Sequence, residues 1–254
     1  MASVSPLSIE LIGHAEFSVP AGMDWETDAQ GGSALVEFAG RACYETFDKP
    51  NPRTSTNAAF INHLKEVGHM AVFEHASATF YIRGLSHTGA HELMRHRHLS
   101  FSQLSPRYVA EPEMNIVLPE GIAGKPELER IFLRAMDDAQ FMYEELKTAL
   151  TEAMRADSPE LSRNALIEDK RIRQAAREVL PHAQETRLVV SGNYRGWRHF
   201  IAARGAEHVN REIRIIAVEV LKKLRELAPA CFDDFDINQL ADGSEIAVSP
   251  YATE

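Results

Sequence analysis

The sequence is poor in cysteine, with Cys43 and Cys231 its only two in 254 residues. Two thiols build no disulfide framework and fit a reducing cytoplasm. Long apolar runs are absent too, which excludes a helical membrane span. The opening MASVSPLSIELIGHAEF lacks the basic stretch and apolar core of a secretory signal, so a cytoplasmic protein is expected. Positive charge is in deficit: 37 acids face 27 bases, a formal net charge of −10. That balance disfavours extended contact with nucleic acid or an anionic membrane as partners. Neither a GxxxxGK[ST] loop nor a GxGxxG fingerprint occurs, so any bound nucleotide must be held without those glycine devices. Repeats, low-complexity tracts and evident linkers are also missing. The length suits one domain or two small ones.

What is present reads as α+β, scattered strands with long helices and no regular βαβ alternation. SIELIGH, SATFYIRGL and ETRLVVSGNY carry strand patterns. ALVEFAGRACYETF and AAFINHLKEVGH have helical spacing, the second entered from the loop KPNPRTSTN through an N-cap and stopped near Gly68. SHTGAHELMRHR is expected as a helix opened by Ser86, and LSFSQLSPRY as loop followed by strand. The longest helix is expected over Lys125–Ala156, with Ile131, Leu133, Met136, Phe141 and Leu146 as its apolar residues and Pro126 in its first turn. Further helices cover Arg163–Leu180, GWRHFIAARG and HVNREIRIIAVEVLKKLREL, the last stopped by Pro229. Their apolar faces can be satisfied within one subunit or by association.

Histidine spacing argues against a metal. His91 and His96 are five apart, which turns the second about 140° from the first on a helix. A zinc site of the HExxH kind needs them four apart. Arg204, His208 and Arg211 are spaced to share one face, provided that Gly205 leaves the helix continuous.

Arginine is gathered unevenly. Arg95–Arg107 and Arg187–Arg204 contain no acid. Guanidinium forks suit phosphate oxygens, and the serines of RHRHLSFSQLSPR can fill further acceptor sites or simply make turns. Glu74 and His75 read as a polar pair at a strand edge, and Phe73, Phe80 and Tyr81 as core. Cys43 reads as a small buried apolar residue, and Arg173 and Arg177 as a solvated helix face.

In RHRHLSFSQLSPR, Arg95, His96, Arg97, Ser100, Ser105 and Arg107 fill every fixed position of the pattern R-H-R-x-x-S-x-x-x-x-S-x-R. This resembles the signature of the flavin-dependent thymidylate synthases. GHMAVFEH, RQAAREVLP and GNYRGWRHFIAARGAEH agree in order, so the likeness runs from about Phe38 to beyond His208. The resemblance implies a single domain over residues 1–254, with a family-specific α+β fold of long helices and a mixed or antiparallel sheet. It also implies a homotetramer with active sites shared between subunits. It implies an FAD site of Arg95, His96, Arg97, Gln103, Asn193, Arg195 and His199, with Ala71 where the family often has a small hydroxyl residue. Only a backbone contact is left to Ala71. The dUMP site implied is Glu92, Arg95, Gln103, Ser105, Arg107, Arg177 and Arg204, with His69 near the folate. Pro106 replaces a glycine found in some members and removes one amide donor.

The implied reaction is reductive methylation of dUMP to dTMP, with NADPH and 5,10-methylenetetrahydrofolate as co-substrates. No enzyme nucleophile is needed in this chemistry. By resemblance Arg204 is the catalytic residue, stabilising negative charge at N3 and O4 of the uracil. An arginine stays protonated and is no base. The competing readings are a cysteine-dependent thymidylate synthase or related pyrimidine methyltransferase and a non-catalytic flavin or nucleotide sensor. Neither cysteine sits in an electropositive segment that would lower its pKa.

Overall fold

The computed structural model describes residues 2–49, 51–109, 114–157 and 165–252. The fold is α+β, and the chain divides into two compact units, each assembled from separated stretches. The first takes Met1–Ser8, Arg83–His91 and Ser102–Leu188; the second takes Ile9–Ile82, Glu92–Phe101 and Val189–Glu254. Among the described residues no helix is long and apolar enough to cross a membrane.

In the first unit, strands β1 (Ser3–Val4) and β5 (Asn115–Ile116) pair in parallel. Helix α4 (Pro126–Asp157) opens on proline, which lacks only an amide that the first turn leaves unpaired anyway. Its Met136 packs with Met114 and Ile116, flanked by Phe132, Leu133 and Leu180. Ile131 and Phe141, two of the apolar residues that mark its periodicity, stand 58% and 63% exposed. Helix α5 (Ala165–Ala176) runs into a 3-10 turn, Arg177–Val179, and stops before Pro181. Arg163 and Asn164, expected at the start of that helix, lie outside the described residues.

A four-stranded sheet runs in the order β2 (Ser8–His14), β3 (Ser77–Ser86), β6 (Glu185–Asn193) and β4 (Leu99–Gln103), and most of its residues belong to the second unit. Thr56, one residue before the expected position, caps α2 (Asn57–Glu66), and Gly68 ends that region at φ +72°. Helix α1 (Gly31–Tyr44) buries an ion pair between Arg41 and Glu37 at 2.7 Å. Helix α6 (Tyr194–Arg204) lays Trp197 against Phe80 and Phe200, and the Trp197 indole donates to the Ala78 carbonyl at 3.0 Å. Helix α7 (Arg211–Leu227) buries Ile213, Ile216, Ala217, Val220, Leu221 and Leu224, one face at helical spacing. The chain then forms α8 (Pro229–Phe232) and an antiparallel pair, β7 (Asp236–Gln239) with β8 (Glu245–Val248).

Three local expectations change. Helix α3 (His87–Leu93) ends before Arg95, so His96 is not on it and the His91–His96 angle has no helix to refer to. The segment after it is strand β4 first and a turn over 106–108 second, the reverse of the expected order. Helices α6 and α7 are separate, with Gly205 capping the first, so Arg204, His208 and Arg211 share no helix face.

Candidate active site

Helix α6 begins where β6 ends, and the junction is tightly specified. Asn193 accepts from the Gly196 amide through Oδ1 at 2.7 Å, an N-cap that fixes the first turn. The Tyr194 amide donates to the Ala76 carbonyl at 2.9 Å. A Cβ at Gly192 would press on the Leu99 side chain, so glycine lets this end of β6 lie close to the start of β4 without moving that side chain. At that junction lies an open cleft of about 480 Å³ whose lining includes Glu74, His98, Asn193, Arg195, Arg198 and His199. The positive end of the α6 dipole faces the same region as Arg195 and Arg198.

His96 sits beside this cleft, buried, with its ring 5.1 Å from Phe200 and 5.9 Å from His199. Arg204, at the far end of α6, donates through Nε to His96 Nε2 at 2.8 Å, and its Nη1 is 3.6 Å from Glu92 Oε2. Burial lowers the His96 pKa, and Arg204, His199, His98 and Arg95 lower it further, to about 4. The ring is therefore neutral at neutral pH, accepting at Nε2 and carrying its proton on Nδ1. Glu74, expected to pair with His75, instead accepts from Arg195 at 2.6 Å. Arg198 is 2% exposed and binds both oxygens of Asp234 at 2.6 Å, while its Nε has no partner. His69 packs against Tyr44, with Nδ1 buried and unpartnered, and the exposed Ala71 lies in the 3-10 turn Met70–Glu74.

The first unit holds a second basic group. Gln103 donates to Thr186 Oγ1 at 3.2 Å, and the Tyr108 and Val109 amides both donate to the Ser105 carbonyl at 3.1 Å. Arg173 donates to the Arg107 carbonyl at 3.0 Å and lies 3.6 Å from Asp169. It is thus a brace for the motif's last arginine, not the merely solvated residue expected. Lys170 donates to the Tyr108 hydroxyl at 2.5 Å. Arg177 lies 3.5 Å from Glu178, and after burial and His182 it is a further cause of the lowered His87 pKa.

The sequence matches the family described as thymidylate synthase complementing protein over residues 27–230. It is 56% identical over 248 residues to the flavin-dependent thymidylate synthase of Corynebacterium efficiens, covering 98% of this chain and 97% of that one. It is 56% identical over 254 residues to the enzyme of that name from Mycolicibacterium vanbaalenii, covering 100% of both. The chain belongs to the flavin-dependent thymidylate synthase family. The crystal structure of a UMP/dUMP methylase PolB from Streptomyces cacaoi, bound with 5-Br dUMP, shares its fold. The TM-score is 0.63 at 23% identity, covering 91% of this chain and 95% of that one.

The family motif is divided by the fold. Glu92, Arg95, His96 and Arg97 fall in the second unit with His69, Ala71, Asn193, Arg195, His199 and Arg204. Gln103, Ser105, Arg107 and Arg177 fall in the first. Within the second unit the structure joins Arg204 to His96 and Glu92, residues 108 apart in the closer pair. Three residues with structural parts here escaped sequence reasoning. Arg173 had only its helix spacing to show, while Asp234 and Tyr251 lie in the C-terminal stretch, outside every motif segment. The thiols divide as well: Cys43, expected to be buried, is exposed, and Cys231 is fully buried.

Proposed function

We propose that this protein converts dUMP to dTMP, taking carbon from 5,10-methylenetetrahydrofolate and reducing equivalents from NADPH through FAD, without a cysteine nucleophile. The observation that carries this reading is Arg204 held on the neutral ring of His96, a residue of the family motif. A guanidinium fixed in this way is a ready stabiliser for negative charge on a pyrimidine. It cannot take a proton, so its role is electrostatic.

The residues at the cleft fit FAD. The capped start of α6 offers its positive end to a phosphate, Arg195 adds a cation at the mouth, and Arg198 Nε is a buried donor with no partner. Arg95, His96, Arg97, Gln103, Asn193, Arg195 and His199 would hold it, with the Ala71 backbone beside them. Asn193 Oδ1 is committed to capping, which leaves its amide for the ligand. FAD, when bound, supplies the redox chemistry. Glu92, Arg95, Gln103, Ser105, Arg107, Arg177 and Arg204 would bind dUMP, with His69 near the folate.

The protein is read as one functional domain that works as a cytoplasmic homotetramer with shared active sites. Its relatives and its free thiols support that, as do Leu128, Ile131, Phe141 and Met142, four large apolar side chains exposed on α4. A mass of four times the 28.4 kDa chain is expected in solution.

The deciding experiment is anaerobic mixing of NADPH-reduced protein with dUMP and methylene-folate, followed by detection of dTMP. The Cys43→Ala and Cys231→Ala variants should form dTMP at rates within about threefold of the parent. Burial raises the Cys231 thiol to about 12, so it offers no thiolate near neutrality. Loss of turnover in either folded variant would favour a cysteine mechanism.

Arg107→Ala should raise the KM for dUMP by about 10- to 100-fold with little change in kcat, because a phosphate clamp acts mainly on binding. A fall in kcat at unchanged KM would remove Arg107 from that role.

A further inference from the structure

The cleft at the start of α6 is rich in cations and poor in flat apolar surface. Besides Arg195, Arg198 and the imidazoles of His98 and His199, its lining includes Tyr251, which carries the one benzenoid ring among the residues that form it. Tyr251 belongs to none of the motif segments and follows β8 through Pro250. Its position is nevertheless built. The Tyr251 amide donates to Ser249 Oγ at 3.1 Å, and that hydroxyl donates to Asp234 Oδ2 at 2.5 Å. Asp234 is itself fixed by both terminal nitrogens of Arg198 at 2.6 Å and by Lys65 at 3.1 Å. One carboxylate therefore ties a cleft arginine and the loop that carries the tyrosine to the same point.

We propose that Tyr251 is a binding residue of this cleft, its ring forming an aromatic wall against a planar ring of FAD, and that Ser249 and Asp234 are the positioning residues that set it there. The inference rests on the reading of the cleft as the flavin site. A dinucleotide has two needs: cations for its phosphates and flat surface for its rings. The α6 end of the cleft meets the first, and Tyr251 meets the second. Tyr251 is 37% exposed, so it is not part of the core.

The test is the dissociation constant for FAD, measured by ultrafiltration of the full-length protein, for the parent and three variants. Tyr251→Leu should weaken FAD by about tenfold, the scale of one aromatic stacking contact. Tyr251→Phe, which keeps the ring, should stay within about twofold of the parent. Ser249→Ala should fall between them because the ring is kept but its tether is cut. Thermal melts of the FAD-free proteins should coincide for the Tyr251 variants. An affinity for Tyr251→Leu equal to the parent's overturns the proposal, and so does a loss in Tyr251→Phe as large as in Tyr251→Leu. Failure of the parent itself to bind FAD would instead overturn the reading of the cleft.

Discussion

Replacing Arg204 by alanine should lower turnover about 100- to 1,000-fold, the usual effect of removing one donor aimed at developing negative charge. FAD should stay bound, since the cations at the α6 start are untouched. The geometry makes the expectation specific. Arg204 is three-quarters buried, with Nε on His96 at 2.8 Å and Nη1 3.6 Å from Glu92. Both partners limit the directions in which the remaining N–H groups can point. Arg204→Lys keeps the charge but has no planar fork to span two partners, so it should recover only part of the loss. A second readout follows from His96. Burial is the first cause of its lowered pKa and Arg204 the next, so the variant's His96 should titrate above its present value of about 4, though still below 6.5. The native arrangement favours the neutral ring. Its contribution to stability is complete above pH 6.5 and is lost as the pH falls towards 4. Steady-state kinetics and an NMR titration of the His96 ring check the two halves independently. Near-normal turnover in Arg204→Ala would deny the residue its role, whatever happened to the histidine.

Local pattern was enough for most elements because each is specified by its own residues. Alternation marked β2 and β3, and the glycine and proline stops near Gly68 and Pro181 ended helices where no amide or left-handed residue could continue them. The 99–108 segment was misread because its serines suggested turn chemistry. In the structure Leu99 and Phe101 face inward between exposed serines, which is ordinary strand alternation. Helix α3 carries no glycine or proline after Leu93 to announce its end. What sets the next turn is tertiary: His96 is buried against Phe200 and takes a hydrogen bond from Arg204. The unit boundary was equally invisible, because each unit collects three separated stretches and no linker marks the crossings. Candidate site residues were legible only through the motif. Composition gave the anion-seeking arginines. It could not say that Arg198 turns inward to Asp234 while Arg195, three residues earlier, meets Glu74.

Asp234→Ala should be strongly destabilising, although the carboxylate is not among the proposed ligand contacts. Asp234 is 4% exposed and neutralises Arg198, 2% exposed, and Lys65, fully buried. Removing the carboxylate strands both cations apart from what Asp233 and the backbone carbonyls of Ala230 and Cys231 can offer. Breaking a buried pair from one side costs about 3–5 kcal/mol, which for a chain of this length lowers Tm by on the order of 10 °C. The pH dependence gives the effect a signature. Burial pushes the Asp234 pKa up, but Arg198, Ser249 and Lys65 outweigh it and hold the group at about 2, against 3.8 when free. A depressed carboxyl stabilises the fold fully above pH 3.8, and that contribution, about 2 kcal/mol, disappears as the pH falls through 2. The stability gap between parent and Asp234→Asn should therefore be constant from pH 7 to 5 and narrow below 3.8. Urea unfolding at pH 7, 5 and 3 measures it. A gap that stayed constant down to pH 3 would mean that the charge on Asp234 is not what holds α6 to the C-terminal strands.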